Sequence, residues 1–244
     1  MIKNFFAGFA LAFSMLSIIP FFKLHNFFSG INGYAVLNYP IVGLILGTTL
    51  YLTSLILEPF FASTHLHVII FFLSILITGA IHLDGLSDSI DGLFVKSEKA
   101  LHVMKDSNVG GMGMIFTASF LLLKASAFWH LESMLMLIPI MMISRYSALF
   151  EIFFFKYISK NGIATLAKSE FTTTQFLVAT VAVTLISLFF ESGLIMLFVA
   201  VATTLIIKQI FYKKIGGFSG DVYGFSIEVV ELILLHVVLL SAKT

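Results

Sequence analysis

The chain has 244 residues, of which 59% are hydrophobic and only 11% are charged, and its net charge is +1. Soluble domains carry about 25% charged residues, so this composition excludes a water-facing globule, and its hydrophobicity excludes a disordered chain. The balanced charge argues against nucleic acid as a partner, and the absence of cysteine excludes disulfides and cysteine-ligated metals. The remaining class is a membrane protein that crosses the bilayer several times.

Eight apolar runs follow one another along the chain, and a transmembrane helix needs about 20 mostly apolar residues. The runs cover residues 5–22, 39–57, 66–81, 115–128, 131–155, 176–190, 194–207 and 227–240. Several are short and one is long, so we expect an all-α, polytopic helical bundle with about seven to eight transmembrane helices. No linker, charge block or internal repeat divides residues 1–244, and we expect a single membrane-embedded domain.

The basic residues indicate how these runs are oriented. If the loop after Ile81 is cytoplasmic and the runs alternate, ten of the 14 Lys and Arg residues fall at cytoplasmic ends. The loops around residues 58–65, 129–130 and 191–193 then contain no Lys or Arg, as the positive-inside rule requires of outer loops. All five aspartates lie on the cytoplasmic side, in the connections 82–114 and 208–225. We therefore expect the active site on that side.

The segment HLDGLSDSIDG, residues 82–92, carries Asp84, Asp88 and Asp91 at positions i, i+4 and i+7. On an α-helix these side chains share a stripe roughly 60° wide. Like charges at this spacing destabilise a helix, and a divalent cation removes the repulsion. Carboxylate oxygens suit Mg²⁺, so we interpret the stripe as a Mg²⁺ site. The structural alternative is a first helical turn, where aspartate is favoured by the helix dipole.

A second polar segment, KDSNVGGMG at residues 105–113, combines Lys105 and Asp106 with several glycines. Glycines allow backbone N–H groups to approach an anion, and the lysine adds a positive charge. This pattern indicates a phosphate-binding loop. The alternative is a loop that enters a membrane helix and uses glycine for packing.

A third polar segment, GGFSGDVYGFSIE at residues 216–228, places Asp221 and Glu228 seven residues apart, on one face of a continuous helix. Acids within the membrane are functional candidates. For Glu231, a substrate role and pairing with a nearby lysine both remain open. Arg145 lies inside an apolar run and must find an anion within the bundle, either an intramembrane glutamate or a substrate phosphate.

HLDGLSDSIDGL resembles the signature of the cobalamin synthase family, the adenosylcobinamide-GDP ribazoletransferases, which carry an HLDGLxDxxDG-type segment. MKDSNVGGMG and GGFSGDVYGFSIE are similar to the family's MKDSRxGxxG-type and GxTGDVxGAxxE-type segments, in the same order. Asn108 stands where arginine is common and cannot supply its charge, and Ser219 takes a threonine position. The early IIPFF and NYPIVGLILG runs are similar to the family's N-terminal pattern, so the resemblance spans nearly the whole chain.

The resemblance implies a Mg²⁺-dependent transferase in the bacterial cytoplasmic membrane, surrounded by membrane lipids. Its reaction is the last joining step of the cobalamin nucleotide loop, in which adenosylcobinamide-GDP receives α-ribazole, or its 5′-phosphate, and GMP leaves. We assign Asp84 and Asp88 to the metal, with Asp91 as a third ligand or as the base. The predicted substrate-binding residues are His82, Lys105, Asp106, Arg145, Asp221 and Glu228. Which form of ribazole is preferred, and whether the chain forms a homo-oligomer, both stay open.

Two other functions fit part of this pattern. CDP-alcohol phosphotransferases also place acids at helical spacing, but their signature requires DGxxAR, whereas Asp84 and Gly85 are followed here by Leu-Ser-Asp-Ser. A cation- or proton-coupled transporter would use the aspartates as its ion path. The acids gather on one side and no repeated half is present, which favours the enzyme.

Overall fold

The computed structural model describes residues 2–19, 28–106, 108–159 and 163–241, and these contain eleven α-helices. A 3₁₀ turn, Met134–Met136, precedes the seventh helix. The helices are α1 Ile2–Leu16, α2 Ile31–Leu57, α3 Ser63–Thr78, α4 Ile81–Phe94, α5 Ser97–Val103, α6 Gly111–Trp129, α7 Leu137–Phe154, α8 Ile163–Glu170, α9 Thr173–Ser187, α10 Gly193–Ile215 and α11 Gly220–Ser241.

Five of these helices are long and apolar enough to cross a membrane: α2, α6, α7 with its 3₁₀ turn, α10 and α11. Two bent pairs, α3 with α4 and α8 with α9, turn by 83° and 95°, and they raise the number of spans to seven if each pair is counted as one. The expected all-α, multi-pass membrane bundle is therefore confirmed, with five to seven candidate spans.

Each of the eight apolar runs overlaps one of these helices, and the polar segments between the runs contribute the three others, α4, α5 and α8. The first run is shorter as a helix than expected, because α1 ends at Leu16. Residues 20–22 of that run lie outside the described residues, as do Lys23 and Lys160, which helped to orient the chain.

Helix α7 forms the centre of the bundle, and residues 139–149 are all buried. Helices α2 and α11 pack against it on two sides. The peripheral helices α6 and α10 instead expose large apolar side chains, such as Leu122 and Phe198. Such an apolar outer surface is what a lipid-facing helix requires, because lipid tails solvate apolar side chains as well as a protein core does.

The helices alternate in direction, so the bundle has two ends. The end we call the aspartate end is the one at which α4 lies, α6 and α11 begin, and α7 and α10 end. There the N–H of Ile158 donates to the carbonyl of Phe218 at 2.9 Å. This hydrogen bond joins the segment that follows α7 to the segment that precedes α11. At the opposite end, His67 Nδ1 lies 3.0 Å from the Trp129 carbonyl oxygen.

Candidate active site

Helix α4 covers Ile81–Phe94, as the spacing of the aspartates predicted. Its apolar residues Leu83, Leu86 and Ile90 are buried in the bundle. Asp84 in the first turn is exposed, and Asp88 one turn later is half-buried. Within the described residues neither carboxylate has a hydrogen-bond or ion-pair partner. The helix therefore presents two free carboxylates at the aspartate end.

A third carboxylate reaches the same place because α4 and α11 touch. A methyl group added at Gly85 would lie 2.7 Å from the carbonyl oxygen of Asp221, so only glycine allows this contact. The Asp221 side chain accepts a hydrogen bond from Ser219 Oγ at 3.2 Å. Its charge interacts with those of Asp84 and Asp88. We call Asp84, Asp88 and Asp221 the acidic cluster.

The acidic cluster does not form a complete metal site by itself. Across the described residues, no group of three or more His, Asp or Glu side chains has the arrangement needed to hold a metal ion. Mg²⁺ usually takes only one or two carboxylates from a protein and fills its other positions with water and substrate phosphates. Unpaired carboxylates of like charge thus fit a Mg²⁺ ion that binds together with a phosphate-bearing substrate.

Asp91 is the aspartate of α4 that has partners. Its Oδ2 accepts a hydrogen bond from the N–H of Gly110 at 2.8 Å, and its Oδ1 accepts one from Gly113 at 2.7 Å. The backbone of the glycine-rich segment thus binds a side-chain carboxylate of the protein, and its role in binding a phosphate stays a prediction. A methyl group at either glycine would overlap the Asp91 carboxylate. The role of Asp91 as a metal ligand or base stays a prediction.

The loop before α6 carries the remaining charges of this segment. Lys105 is exposed, and its charge acts on Asp221. Asp106 Oδ1 accepts hydrogen bonds from the backbone N–H of Asn108 at 3.1 Å and from its side-chain amide at 2.9 Å. These two hydrogen bonds lower the pKa of the Asp106 carboxyl. Asn108 therefore shapes the loop, and Lys105 supplies the positive charge closest to the acidic cluster in this segment.

Arg145 and Glu228, both predicted to bind substrate, have partners inside the bundle. Lys124 Nζ lies 2.7 Å from Glu228 Oε2 and 3.4 Å from Glu231 Oε2, and Arg145 Nη1 lies 3.4 Å from the same Glu231 atom. All four side chains are at most 4% exposed. The pairing of Arg145 with an intramembrane glutamate is confirmed, and so is the pairing of Glu231 with a lysine. We call these four residues the buried ion network.

The sequence did not identify Lys124 as part of this network. It lies near the outer end of an apolar run and is one of the four Lys and Arg residues that do not fall at cytoplasmic ends. The signal was nevertheless present, because a single lysine inside an apolar run has the same need for an anion as Arg145. Glu228 shares α11 with Asp221 as predicted, but it lies two turns deeper, about 10 Å along the helix axis.

A pocket of about 350 Å³ opens beside the acidic cluster, and Asp84 and Asp221 form part of its wall. We call it the tyrosine pocket, after Tyr39, Tyr157 and Tyr223, which also line it. The wall further includes His82, 3% exposed, whose two ring nitrogens have no hydrogen-bond partner in the described part of the chain. His82 was predicted from the sequence as a site residue, whereas none of the tyrosines was.

Comparison with known proteins agrees with the resemblance seen in the motifs. The sequence profile of the cobalamin-5-phosphate synthase family matches residues 8–239. This chain belongs to that family. An adenosylcobinamide-GDP ribazoletransferase of Acinetobacter baumannii is 31% identical over 242 residues, which cover 96% of this chain and 98% of the relative. No solved structure matches the chain.

Two further relatives carry the same name. The adenosylcobinamide-GDP ribazoletransferase of Desulfitobacterium hafniense is 33% identical over 223 residues, covering 81% of this chain and 82% of the relative. That of Desulforamulus reducens is 29% identical over 246 residues, covering 98% of both chains. These matches give no support to the transporter alternative. In this member of the cobalamin-5-phosphate synthase family, the three segments that carry the resemblance meet at the aspartate end.

Proposed function

We propose that this protein transfers ribazole to adenosylcobinamide-GDP and releases GMP, as the last joining step of the cobalamin nucleotide loop. The observation that carries the proposal is the acidic cluster. Asp84, Asp88 and Asp221 come from two family-like segments and converge beside a pocket, and Asp84 and Asp88 have no hydrogen-bond or ion-pair partner in the described residues. Family membership and the names of the relatives support the same reaction.

The reaction is a displacement at phosphorus. A ribose hydroxyl of the ribazole attacks the phosphorus bonded to the cobinamide arm, and a new P–O bond forms. The bond from this phosphorus to the oxygen it shares with the GMP phosphate breaks, and GMP leaves with the electron pair. The hydroxyl proton passes to a carboxylate oxygen of the acidic cluster and from there to water. Such transfers depend mainly on positioning and on neutralising charge.

We propose Mg²⁺ as the cofactor, held by Asp84 and Asp88, with Asp221 facing them across the contact between α4 and α11. When bound there, Mg²⁺ supplies positive charge to the diphosphate oxygens. The donor set fits because carboxylate oxygens are preferred by this hard cation. Lys105 is exposed beside Asp221 and adds a second positive charge for the phosphates.

We place this site on the cytoplasmic side of a bacterial cytoplasmic membrane, because the lysine-rich loops belong to the aspartate end. Membrane lipids would cover the apolar faces of α6 and α10, which carry exposed leucine and phenylalanine side chains. A homo-oligomer stays a prediction, and the proposed chemistry uses residues of a single chain only.

The test is a product assay on detergent-solubilised protein. Incubation with adenosylcobinamide-GDP, α-ribazole and Mg²⁺ should yield GMP and cobalamin in equal amounts, followed by chromatography. Both products should be lost with EDTA and in Asp88→Ala, whereas Glu191→Ala, at the opposite end, should keep the activity. Folded, Mg²⁺-binding protein that forms no GMP would overturn the proposal, and cation flux without GMP would identify a transporter.

A further inference from the structure

Apart from Asp84 and Asp221, the residues that line the tyrosine pocket have no role in the proposed chemistry at phosphorus. The tyrosine pocket lies between α1, α2, α4, α7 and α11 and has the size of a pocket for a small molecule. A whole corrinoid does not fit in about 350 Å³, so the pocket can take only one end of one substrate. Which end it takes depends on the chemistry of its walls.

The entrance of the pocket is acidic and aromatic. Asp84 and Asp221 lie in its wall, and the described residues that line it include no lysine or arginine. Behind these two carboxylates, which are proposed to act with Mg²⁺ at the entrance, the described wall therefore offers a phosphate no positive charge. The rings of Tyr157 and Tyr223 lie parallel, with their centroids 6.0 Å apart and an angle of 6° between their planes. A partly exposed tyrosine ring beside a pocket is a stacking surface for a flat aromatic group.

The position of Tyr157 is fixed by the same contact that positions Asp221. The N–H of Ile158 donates to the Phe218 carbonyl, and the N–H of Phe218 donates to the Lys156 carbonyl at 2.8 Å. A methyl group at Gly217 would lie 2.6 Å from that Lys156 oxygen. A larger residue there would therefore push apart the segment that follows α7 and the segment that precedes α11. These backbone hydrogen bonds therefore fix the position of the Tyr157 ring relative to Asp221.

The buried part of the wall is mainly apolar, and besides the His82 ring it contains a second polar group without a hydrogen-bond partner in the described residues. Leu16, Ala148, Ile152 and Ile227 line this part. The Tyr223 hydroxyl is buried and has no hydrogen-bond partner within the described residues. A buried hydroxyl without a partner is costly, so a ligand that accepts its hydrogen bond would be favoured.

We propose that the tyrosine pocket binds the aromatic base of the ribazole substrate, with Tyr157 stacking on the base and Tyr223 donating to its free ring nitrogen. This base, a dimethylbenzimidazole, has an apolar methyl edge that suits the buried part of the wall. Guanine, the other base in the reaction, would bury an amino group, an N–H and a carbonyl against apolar side chains, which is unfavourable. The assignment rests on the proposed function. It places the base of the ribazole in the tyrosine pocket, its ribose at the mouth of the pocket, and the phosphorus that it attacks at the acidic cluster.

Equilibrium dialysis of α-ribazole against solubilised protein tests stacking without any need for turnover. Tyr157→Leu should weaken binding about tenfold, because the substitution removes the aromatic ring on which the base stacks. Tyr157→Phe keeps the ring and should bind within about twofold of the wild type. Tyr51→Leu makes the same exchange in α2, outside the pocket, and should change nothing. Equal binding by wild type and Tyr157→Leu, or displacement of α-ribazole by guanosine, would overturn the assignment.

The donor is tested separately with a matched ligand. Tyr223→Phe should weaken binding of α-ribazole about fivefold, and it should not affect an analogue in which the free ring nitrogen is replaced by C–H. An equal loss for both ligands would contradict the hydrogen bond. The outcomes also separate the two proposals. If the wild type releases GMP and Tyr157→Leu binds α-ribazole as tightly as the wild type does, only the assignment of the tyrosine pocket is overturned. If binding of α-ribazole depends on Tyr157 but the wild type releases no GMP, only the proposed transferase activity is overturned.

Discussion

The carboxylate of Asp91 accepts a hydrogen bond from the backbone N–H of Gly113 at 2.7 Å, and this bond joins α4, the aspartate helix, to the first turn of α6. The second oxygen receives Gly110 in the same way. An aspartate at a helix N-terminus binds free N–H groups and interacts favourably with the helix dipole. Asp91 therefore holds α4 in place, and the carboxylates of α4 that have no partner in the described residues are those of Asp84 and Asp88.

The substitution Asp91→Asn should distinguish a structural role of Asp91 from a role as a metal ligand. The amide retains one acceptor oxygen and loses the charge, so one N–H is left unpaired, and the unfolding free energy should fall by about 1.5–3 kcal/mol. The Mg²⁺ concentration for half-maximal rate should stay unchanged, while kcat falls. Thermal unfolding and a Mg²⁺ titration of GMP release measure both. A Mg²⁺ requirement raised tenfold in a stably folded Asp91→Asn would instead make Asp91 a metal ligand.

Much of this site could be predicted from the sequence, because the spacing of the aspartates depends only on helix geometry. The aspartate helix was found where the pattern placed it. Helical spacing could not predict that Asp91, seven residues after Asp84, would turn to α6 while the other two stay free. That division depends on where α6 begins, which is a tertiary contact between residues 19 and 22 positions apart.

Asp88→Asn should have the opposite effect on stability. Asp88 has no hydrogen-bond partner in the described residues and lies near the charges of Asp84 and Asp221, so removing its charge relieves repulsion. The unfolding temperature without Mg²⁺ should stay the same or rise, whereas GMP release should fall about 100-fold or more. Glu191→Gln, at the opposite end, is the matched control and should change neither. A loss of stability in Asp88→Asn would contradict a free carboxylate.

The buried ion network predicts a different pattern. Lys124→Met leaves Glu228 without its lysine partner at 4% exposure, and such a loss costs about 3–5 kcal/mol of unfolding free energy. Combining Lys124→Met with Glu228→Leu removes both charges and should recover much of this stability. Unfolding in detergent, followed by circular dichroism, measures the cycle. If Lys124→Met is as stable as the wild type and raises only the KM for adenosylcobinamide-GDP, Glu228 has the substrate role that the sequence suggested.

The tyrosine pocket marks the limit of prediction from sequence. Tyr39, Tyr157 and Tyr223 are far apart in the chain and resemble the many other aromatic residues of an apolar sequence, of which phenylalanine alone contributes 28. Only the packing of α2, the exit of α7 and α11 brings the three rings to one wall. By contrast, Arg145 could be predicted to pair with an acid, because an unpaired charged side chain inside the membrane has a high free-energy cost.

Lys214 should control the order of the aspartate helix from its other end. Its Nζ donates to the Leu93 carbonyl at 2.8 Å and also to that of Val95, so an ammonium caps the last turn of α4 and complements its dipole. In Lys214→Met, hydrogen exchange across residues 81–94 should be faster and kcat should fall severalfold, while Lys214→Arg should restore most of both. Lys213→Met removes the neighbouring, exposed lysine and serves as the control. Equal exchange rates in Lys214→Met and Lys213→Met would show that α4 does not depend on this cap.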